Sequence, residues 1–199
     1  MQSALSRFAK PGTGLDVGCE GGRWSRLLNN LGWQMTATDI DPHTLELCRQ
    51  RNPSVNCLLV QEQDETFPVA TESIDLLVTI QVPVVDCDWF PDEAKRVLKP
   101  SGVLVGSFNN LISWRGLAAN IKSTIAKHPC YYPKPYAVFR RSLRNQGFSI
   151  DYEQGYCWGP FGRHSNSKWI SPATKLERSL QVNRLVSLSP WVAYVASRH

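Results

Sequence analysis

The chain has 199 residues, of which 42% are hydrophobic and 20% charged, enough apolar material for one self-supporting core and too much for a disordered chain. No apolar run approaches the roughly 18 residues of a membrane span, and the start MQSALSRFAK lacks a secretory stretch, so a cytoplasmic location is expected. The net charge of +5 is unevenly spread: residues 1 to 99 hold 9 Lys/Arg against 14 Asp/Glu, residues 100 to 199 hold 13 against 3, and the basic second half invites an anionic partner.

In chain order, short apolar runs alternate with segments of helical period, the pattern of parallel strands joined by crossover helices. Gly14 to Val17 reads as the first strand, and Trp24 to Leu31 as a helix with Trp24, Leu27, Leu28 and Leu31 on one face, ended by Gly32. Gln34 to Thr38 is the second strand. Asp41-Pro42 then caps and opens a helix through Arg49, and Cys57 to Val60 is the third strand. Ile74 to Ile80 is a nearly continuous apolar run, as expected of a central strand covered on both faces. A helix from Phe90 to Leu98 is closed by a Lys99-Pro100-Ser101-Gly102 turn, and Val103 to Phe108 is the fifth strand. Further on, Trp114 to Lys127 reads as a helix, residues 131 to 136 as a proline-tyrosine joint, and the segment up to Asn145 as a helix stopped by Gly147. Phe148 to Trp158 and Trp191 to Ser197 are the sixth and seventh strands. The expected architecture is a Rossmann-like, doubly wound α/β domain with a mostly parallel seven-stranded sheet and a C-terminal antiparallel strand.

The six cysteines are scattered without a C-x-x-C pair, and no two histidines lie at a helical ligand spacing. Reduced thiols and no protein-bound metal are therefore expected. The chemistry concentrates in LDVGCEGGRWS, Leu15 to Ser25, where a strand passes through a glycine-rich turn into a helix. Such a turn, at the carboxyl end of the first strand, lets backbone approach a ligand closely. About 20 residues further on, Asp39 ends the second strand, where a carboxylate can accept hydrogen bonds from a ribose diol. The pair implies an adenosine-containing cofactor. A dinucleotide fingerprint starting at Gly18 would need glycine where Glu20 and Arg23 stand, and no Lys-Ser or Lys-Thr pair closes a P-loop.

On three motifs in order, LDVGCEGGRWS, ATDIDP and EAKRVLKPSGVLV, the chain resembles the class I S-adenosylmethionine-dependent methyltransferases, in particular the small-molecule branch similar to the ubiquinone and menaquinone biosynthesis methyltransferases. The resemblance spans about residues 12 to 108, a cofactor-binding half of one domain covering 1 to 199. It implies S-adenosylmethionine as cofactor, with Asp16, Gly18, Cys19 and Gly22 around the methionine moiety, Asp39 on the ribose hydroxyls and Ile40 against the adenine. Ile80 and Gln81 would face the methionine end and the acceptor. The family's residue for the adenine amine falls on Gln63 by counting back from Pro68, or on Asp64 by residue type. Glu20 departs from the family, which has glycine there. Its side chain either meets the donor ammonium or crowds the turn, and Gly21 is expected to restore the lost freedom.

In-line methyl transfer requires no fixed catalytic residue. For an acceptor that must lose a proton, His128, His164, Asp86, Tyr131 and Tyr132 are the candidate bases. Residues 109 to 172 are the expected acceptor-binding insertion or lid, since they exceed a minimal crossover between strands five and six by an extra helix, the proline-tyrosine joint and Trp158 to Trp169. Tyr131, Tyr132, Tyr136, Trp158, Phe161 and Trp169 offer it stacking surface, and Arg140, Arg141, Arg144, Arg163 and Lys168 offer anion contacts. A small or lipid-like, anionic acceptor follows. The alternatives are a nucleic-acid (RNA) methyltransferase, suggested by the basic half but lacking an N-P-P-Y type pattern after strand four, and a non-catalytic interaction domain of the same fold.

Overall fold

A computed structural model describes residues 9 to 127, 132 to 161 and 165 to 199. Seven strands form one sheet: β1 (Thr13–Val17), β2 (Gln34–Asp39), β3 (Asn56–Leu59), β4 (Ile74–Thr79), β5 (Leu98–Asn109), β6 (Phe148–Tyr156) and β7 (Trp191–Arg198). Their order is β3-β2-β1-β4-β5-β7-β6. The first five pair in parallel, and β7 runs antiparallel to both β5 and β6. The expected architecture is the one observed.

The helices are α1 (Arg23–Asn30), α2 (Pro42–Arg51), α3 (Phe90–Val97), α4 (Trp114–Ala126), α5 (Tyr136–Asn145) and α6 (Ile170–Ser179). Successive side chains of a strand point to opposite faces. Leu76 and Val105 accordingly join Leu28 of α1 and Leu45 of α2 on one side, while Leu77 and Leu104 join Phe90 of α3 and Phe139 of α5 on the other. Burial on both faces is why β4 and the inner part of β5, from Val103 to Phe108, are mostly apolar. Because β1 lies between β2 and β4, the chain leaves it in one direction and returns on its other side. That reversal opens a crevice at the carboxyl ends of β1 and β4.

Two local expectations are corrected. Lys99 to Gly102 is not a closing turn but the lead of β5, paired through Leu98 with Ile74. Lys99 Nζ meets both carboxylate oxygens of Asp75, at 3.0 and 2.8 Å, and this clamps the segment alongside β4; the register slips between Ile74 and Leu76. The sixth strand ends at Tyr156 rather than Trp158, and the following stretch folds into α6 and two short 3-10 turns that periodicity did not announce.

Asp16, at the end of β1, is buried. Its Oδ2 accepts the Ser25 N–H at 3.0 Å and the Ser25 hydroxyl at 2.5 Å, which ties the strand to the first turn of α1. Burial pushes its carboxyl up to about 6 from an ordinary 3.8, against the downward pull of the Ser25 bonds. A carboxyl raised in this way favours the fold when protonated, so its stabilising share is present at low pH and disappears as pH rises through about 6. Asp16→Asn is expected to gain about 2 to 3 kcal/mol on wild type between about pH 4 and about pH 8. Urea unfolding midpoints at the two pH values measure this; parallel wild-type and variant profiles would contradict it.

Candidate functional site

The glycine-rich turn has its shape set by three left-handed residues, Gly18 (φ 67°), Glu20 (φ 47°) and Gly22 (φ 73°). Gly18 lies against the loop after β4, where a Cβ would come within 2.7 Å of Val82 Cγ2. Gly22 caps α1, and a Cβ there would run into Cys48 Sγ and Asn52 Nδ2. Left-handed backbone therefore falls on Glu20 itself. Gly21 is not among the positive-φ residues and does not relieve it, contrary to the expectation from sequence. Left-handed backbone costs a residue bearing a Cβ roughly 1 to 2 kcal/mol, so Glu20→Gly should stabilise the domain by about 1 kcal/mol after the extra entropy of glycine in the unfolded chain. Chemical denaturation measures the difference, and a destabilised variant would show that the glutamate side chain outweighs the backbone strain.

The turn is locked to β2. The Cys19 N–H donates to the Thr38 carbonyl at 3.0 Å, and the Glu20 N–H donates to Asp39 Oδ2 at 2.9 Å. The other oxygen of Asp39, Oδ1, accepts the Asp41 N–H at 3.0 Å, so the carboxylate stands in a defined orientation at the mouth of the crevice. Beside it Ile40 is 56% exposed, an aliphatic side chain held out of the core and into the cleft.

The cleft measures about 430 Å³, within the usual range for a small-ligand site. Of the residues singled out from sequence it brings together Gly18, Glu20, Asp39, Ile40, Asp64 and Gln81. Asp16, Cys19, Gly21, Gly22, Gln63 and Ile80 are not in its wall. Asp16 braces the strand, while Cys19 packs in the core, its thiol pushed far up by burial and by the neighbouring Cys48. Gly21 faces Arg51 and Gly22 faces α2. Ile80 packs on the core, and Gln63 is exposed on the loop whose Asp64 accepts the Gln61 N–H at 2.8 Å.

Much of the wall was not legible from sequence: Val60, Gln61, Glu62, Thr66 and Phe67 after β3, and Val82, Pro83, Val84, Cys87 and Trp89 after β4. Their signal is positional, since both loops leave the carboxyl ends of central strands. Phe67 meets Trp89 edge-on at 5.8 Å. Its backbone is pinned from α3, because Glu93 Oε1 accepts the Phe67 N–H at 2.6 Å, and Arg96 pairs with Glu93 while donating to the carbonyls of Phe67 and Val69. The Glu and Arg of EAKRVLKP thus shape the cleft from behind.

The short 3-10 segment Pro83–Asp86, whose Pro83 and Val84 line the cleft, carries a half-buried carboxylate, Asp86, that is not in the cleft wall. Asp86 Oδ1 is buried without a hydrogen-bond partner among the described residues, and burial pushes this carboxyl up to about 6 despite Lys134 nearby. Tyr132 accepts the indole N–H of Trp191 at 2.9 Å. His128, Tyr131, Arg163 and His164 lie outside the described residues. Arg140 is paired with Glu153 at 3.3 Å, Tyr136 is buried and bonded to the same carboxylate, and none of Arg140, Arg141, Arg144 and Lys168 lines the cleft. Among the described residues no three His, Cys, Asp or Glu side chains come together as a metal site, and no helix is long and apolar enough to cross a membrane.

A seven-stranded sheet of this order, with a glycine turn and an acidic second-strand terminus facing one crevice, is the fold of S-adenosylmethionine-dependent methyltransferases. The family model described as "Methyltransferase domain" matches residues 15–106. Over 97 residues the chain is 34% identical to the "Probable phthiotriol/phenolphthiotriol dimycocerosates methyltransferase 2" of Mycobacterium ulcerans (strain Agy99), a stretch covering 44% of this chain and 36% of that protein. It is 33% identical over 95 residues to the "Uncharacterized methyltransferase YodH" of Bacillus subtilis (strain 168), covering 46% and 41%. The matches thus span well under half the length of these relatives. Among solved structures, an S-adenosylmethionine dependent methyltransferase from Mesorhizobium loti superposes with TM-score 0.67 at 15% identity, over 98% of this chain and 96% of that one. A chain from the complex between the Haloferax volcanii Trm112 methyltransferase activator and a methyltransferase superposes with TM-score 0.69 at 17% identity, over 100% and 88%.

Proposed function

We propose that this protein transfers the methyl group of S-adenosylmethionine to a small or lipid-like acceptor bearing an anionic group, in the cytoplasm. The observation that carries the donor half is the cleft itself: Asp39 oriented by two backbone N–H groups, Ile40 exposed beside it, and Gly18 without a Cβ at the turn. In this reading Asp39 accepts the ribose hydroxyls, Ile40 covers one face of the adenine, and Asp64 on the post-β3 loop is the partner of the adenine amine, in preference to Gln63. The donor, when bound, supplies a positively charged sulfonium whose methyl group is already activated. The chain's own residues then have to aim the acceptor and exclude water, a matter of positioning. Val82 to Val84 and Trp89 supply the apolar side of that enclosure.

For an acceptor that must lose a proton, Asp86 is the base we favour, because its unpartnered oxygen and raised affinity for a proton suit it to hold one near neutral pH. The acceptor class rests on the basic second half, and on the lipid acceptor named for the Mycobacterium ulcerans relative. Calorimetric titration should detect S-adenosylmethionine and S-adenosylhomocysteine but not NAD, and a screen of anionic metabolites and lipids with labelled donor should yield a methylated product. Absence of donor binding would leave a non-catalytic domain. Turnover confined to RNA, with oligonucleotide affinity falling steeply with salt, would instead assign a nucleic-acid acceptor.

A further inference from the structure

Helix α4 is built inside out. Of its thirteen residues only Gly116 is buried. Trp114, Leu117, Ile121 and Ile125, spaced three and four apart, form one stripe along the helix, yet they are 46, 52, 64 and 79% exposed, with Ile112 at 46% just before them. An amphipathic helix ordinarily turns such a stripe toward the core, and a helix this short gains little stability from propensity alone. The stripe has company. The Trp114 indole donates to the Trp158 carbonyl, Arg115 donates to the carbonyls of Gly159 and Phe161, and Glu177 of α6 accepts the Gly159 N–H. Helix α6 buries no residue at all and leaves Leu176 58% exposed, between Trp169 and Leu180, each 64% exposed. The two helices are thus tied to the same segment as a cap, and each leaves apolar side chains exposed among the described residues.

The charge around that surface selects what can cover it. Lys122 lies on α4 and Lys127 follows it, while Lys168, Lys175 and Arg178 accompany α6, whose one acidic residue, Glu177, is turned to the Gly159 N–H. A second copy would set basic against basic. A negatively charged bilayer surface complements both features, since apolar side chains enter the boundary of the acyl chains, Trp rests at the headgroup level, and Lys and Arg reach the lipid phosphates.

We propose that α4 and α6 form a docking face for an anionic phospholipid surface, on which the protein sits peripherally. The cap emerges where β5 and β6 end and β7 begins, the same edge of the sheet as the carboxyl ends of β1 and β4 that carry the cleft. Docking would therefore bring the cleft toward the bilayer. This last step rests on the proposed lipid-like acceptor; the docking face does not.

The test is sedimentation of the full chain with vesicles of phosphatidylcholine alone and of phosphatidylcholine mixed with phosphatidylglycerol, alongside Leu117→Asp, Ile121→Asp and Ile125→Asp. These side chains are exposed and outside the donor cleft, so S-adenosylmethionine calorimetry on each variant reports separately on the fold and on the donor reading. Binding to the anionic vesicles is expected, with little to phosphatidylcholine alone, loss at high salt, and a drop of about tenfold for each substitution. No binding to anionic vesicles overturns the proposal, as does binding unaffected by the three substitutions. Concentration-dependent self-association that they abolish, without vesicle binding, would assign the face to a second copy and overturn it as well.

Discussion

Asp39→Ala is expected to weaken S-adenosylmethionine and S-adenosylhomocysteine by at least ten- to hundredfold. In the proposed donor site the carboxylate accepts hydrogen bonds from the ribose, and a hydrogen bond to a charged group contributes about 1.5 to 3 kcal/mol, roughly one to two decades in affinity for each bond lost. A second effect acts in the same direction. Asp39 also holds the Glu20 and Asp41 N–H groups, so its removal loosens the turn that lines the cleft. Asp39→Asn separates the two contributions, because its amide oxygen can keep one backbone bond while the charge is lost, and an intermediate affinity is expected. Calorimetric titration of the three proteins is the measurement. Unchanged affinity in the alanine variant would remove the ribose assignment.

The largest effect on stability is expected from Phe108→Ala. This ring, wholly buried near the end of β5, stacks on Phe139 at 4.7 Å and packs against Tyr136 at 5.6 Å, and both partners belong to α5. Phe139 in turn meets Phe90 of α3 and Tyr194 of β7. One side chain therefore joins the sheet to α5, the helix between α4 and α6. Removing a buried phenyl ring from such a cluster costs about 3 to 5 kcal/mol, and Phe108→Leu, which preserves more of the volume, should cost less. Urea unfolding at fixed pH measures both, and a loss under about 1 kcal/mol for the alanine variant would mean that the cluster closes over the cavity. Donor affinity of the folded fraction should be preserved, since Phe108 is not in the cleft wall.

The donor half was legible because its signals are local. A strand, a glycine turn and a helix are consecutive in LDVGCEGGRWS, and the distance from that turn to Asp39 is set by one helix and one strand. Strand five was misplaced at its start for the opposite reason, because the clamp between Lys99 and Asp75 is a contact between distant positions that no periodicity in KPSG encodes. Helix α6 went unseen because nothing in it is buried, and periodicity can announce a helix only through the side it hides.

By itself the sequence determined the class of the fold, the number of strands and the place of an acidic residue at the end of the second strand, all of which follow from hydrophobic period and turn chemistry within short windows. Tertiary structure decided the rest. Strand order placed β7 between β5 and β6, and thereby the cap on the edge that carries the cleft. Packing buried Asp16 against Ser25 as a brace and set left-handed backbone on Glu20 as well as on glycine. It also walled the cleft with Trp89 and with Phe67, whose loop is held by Glu93 and Arg96. Each of these depends on which distant side chains meet, and that is settled only when the sheet assembles.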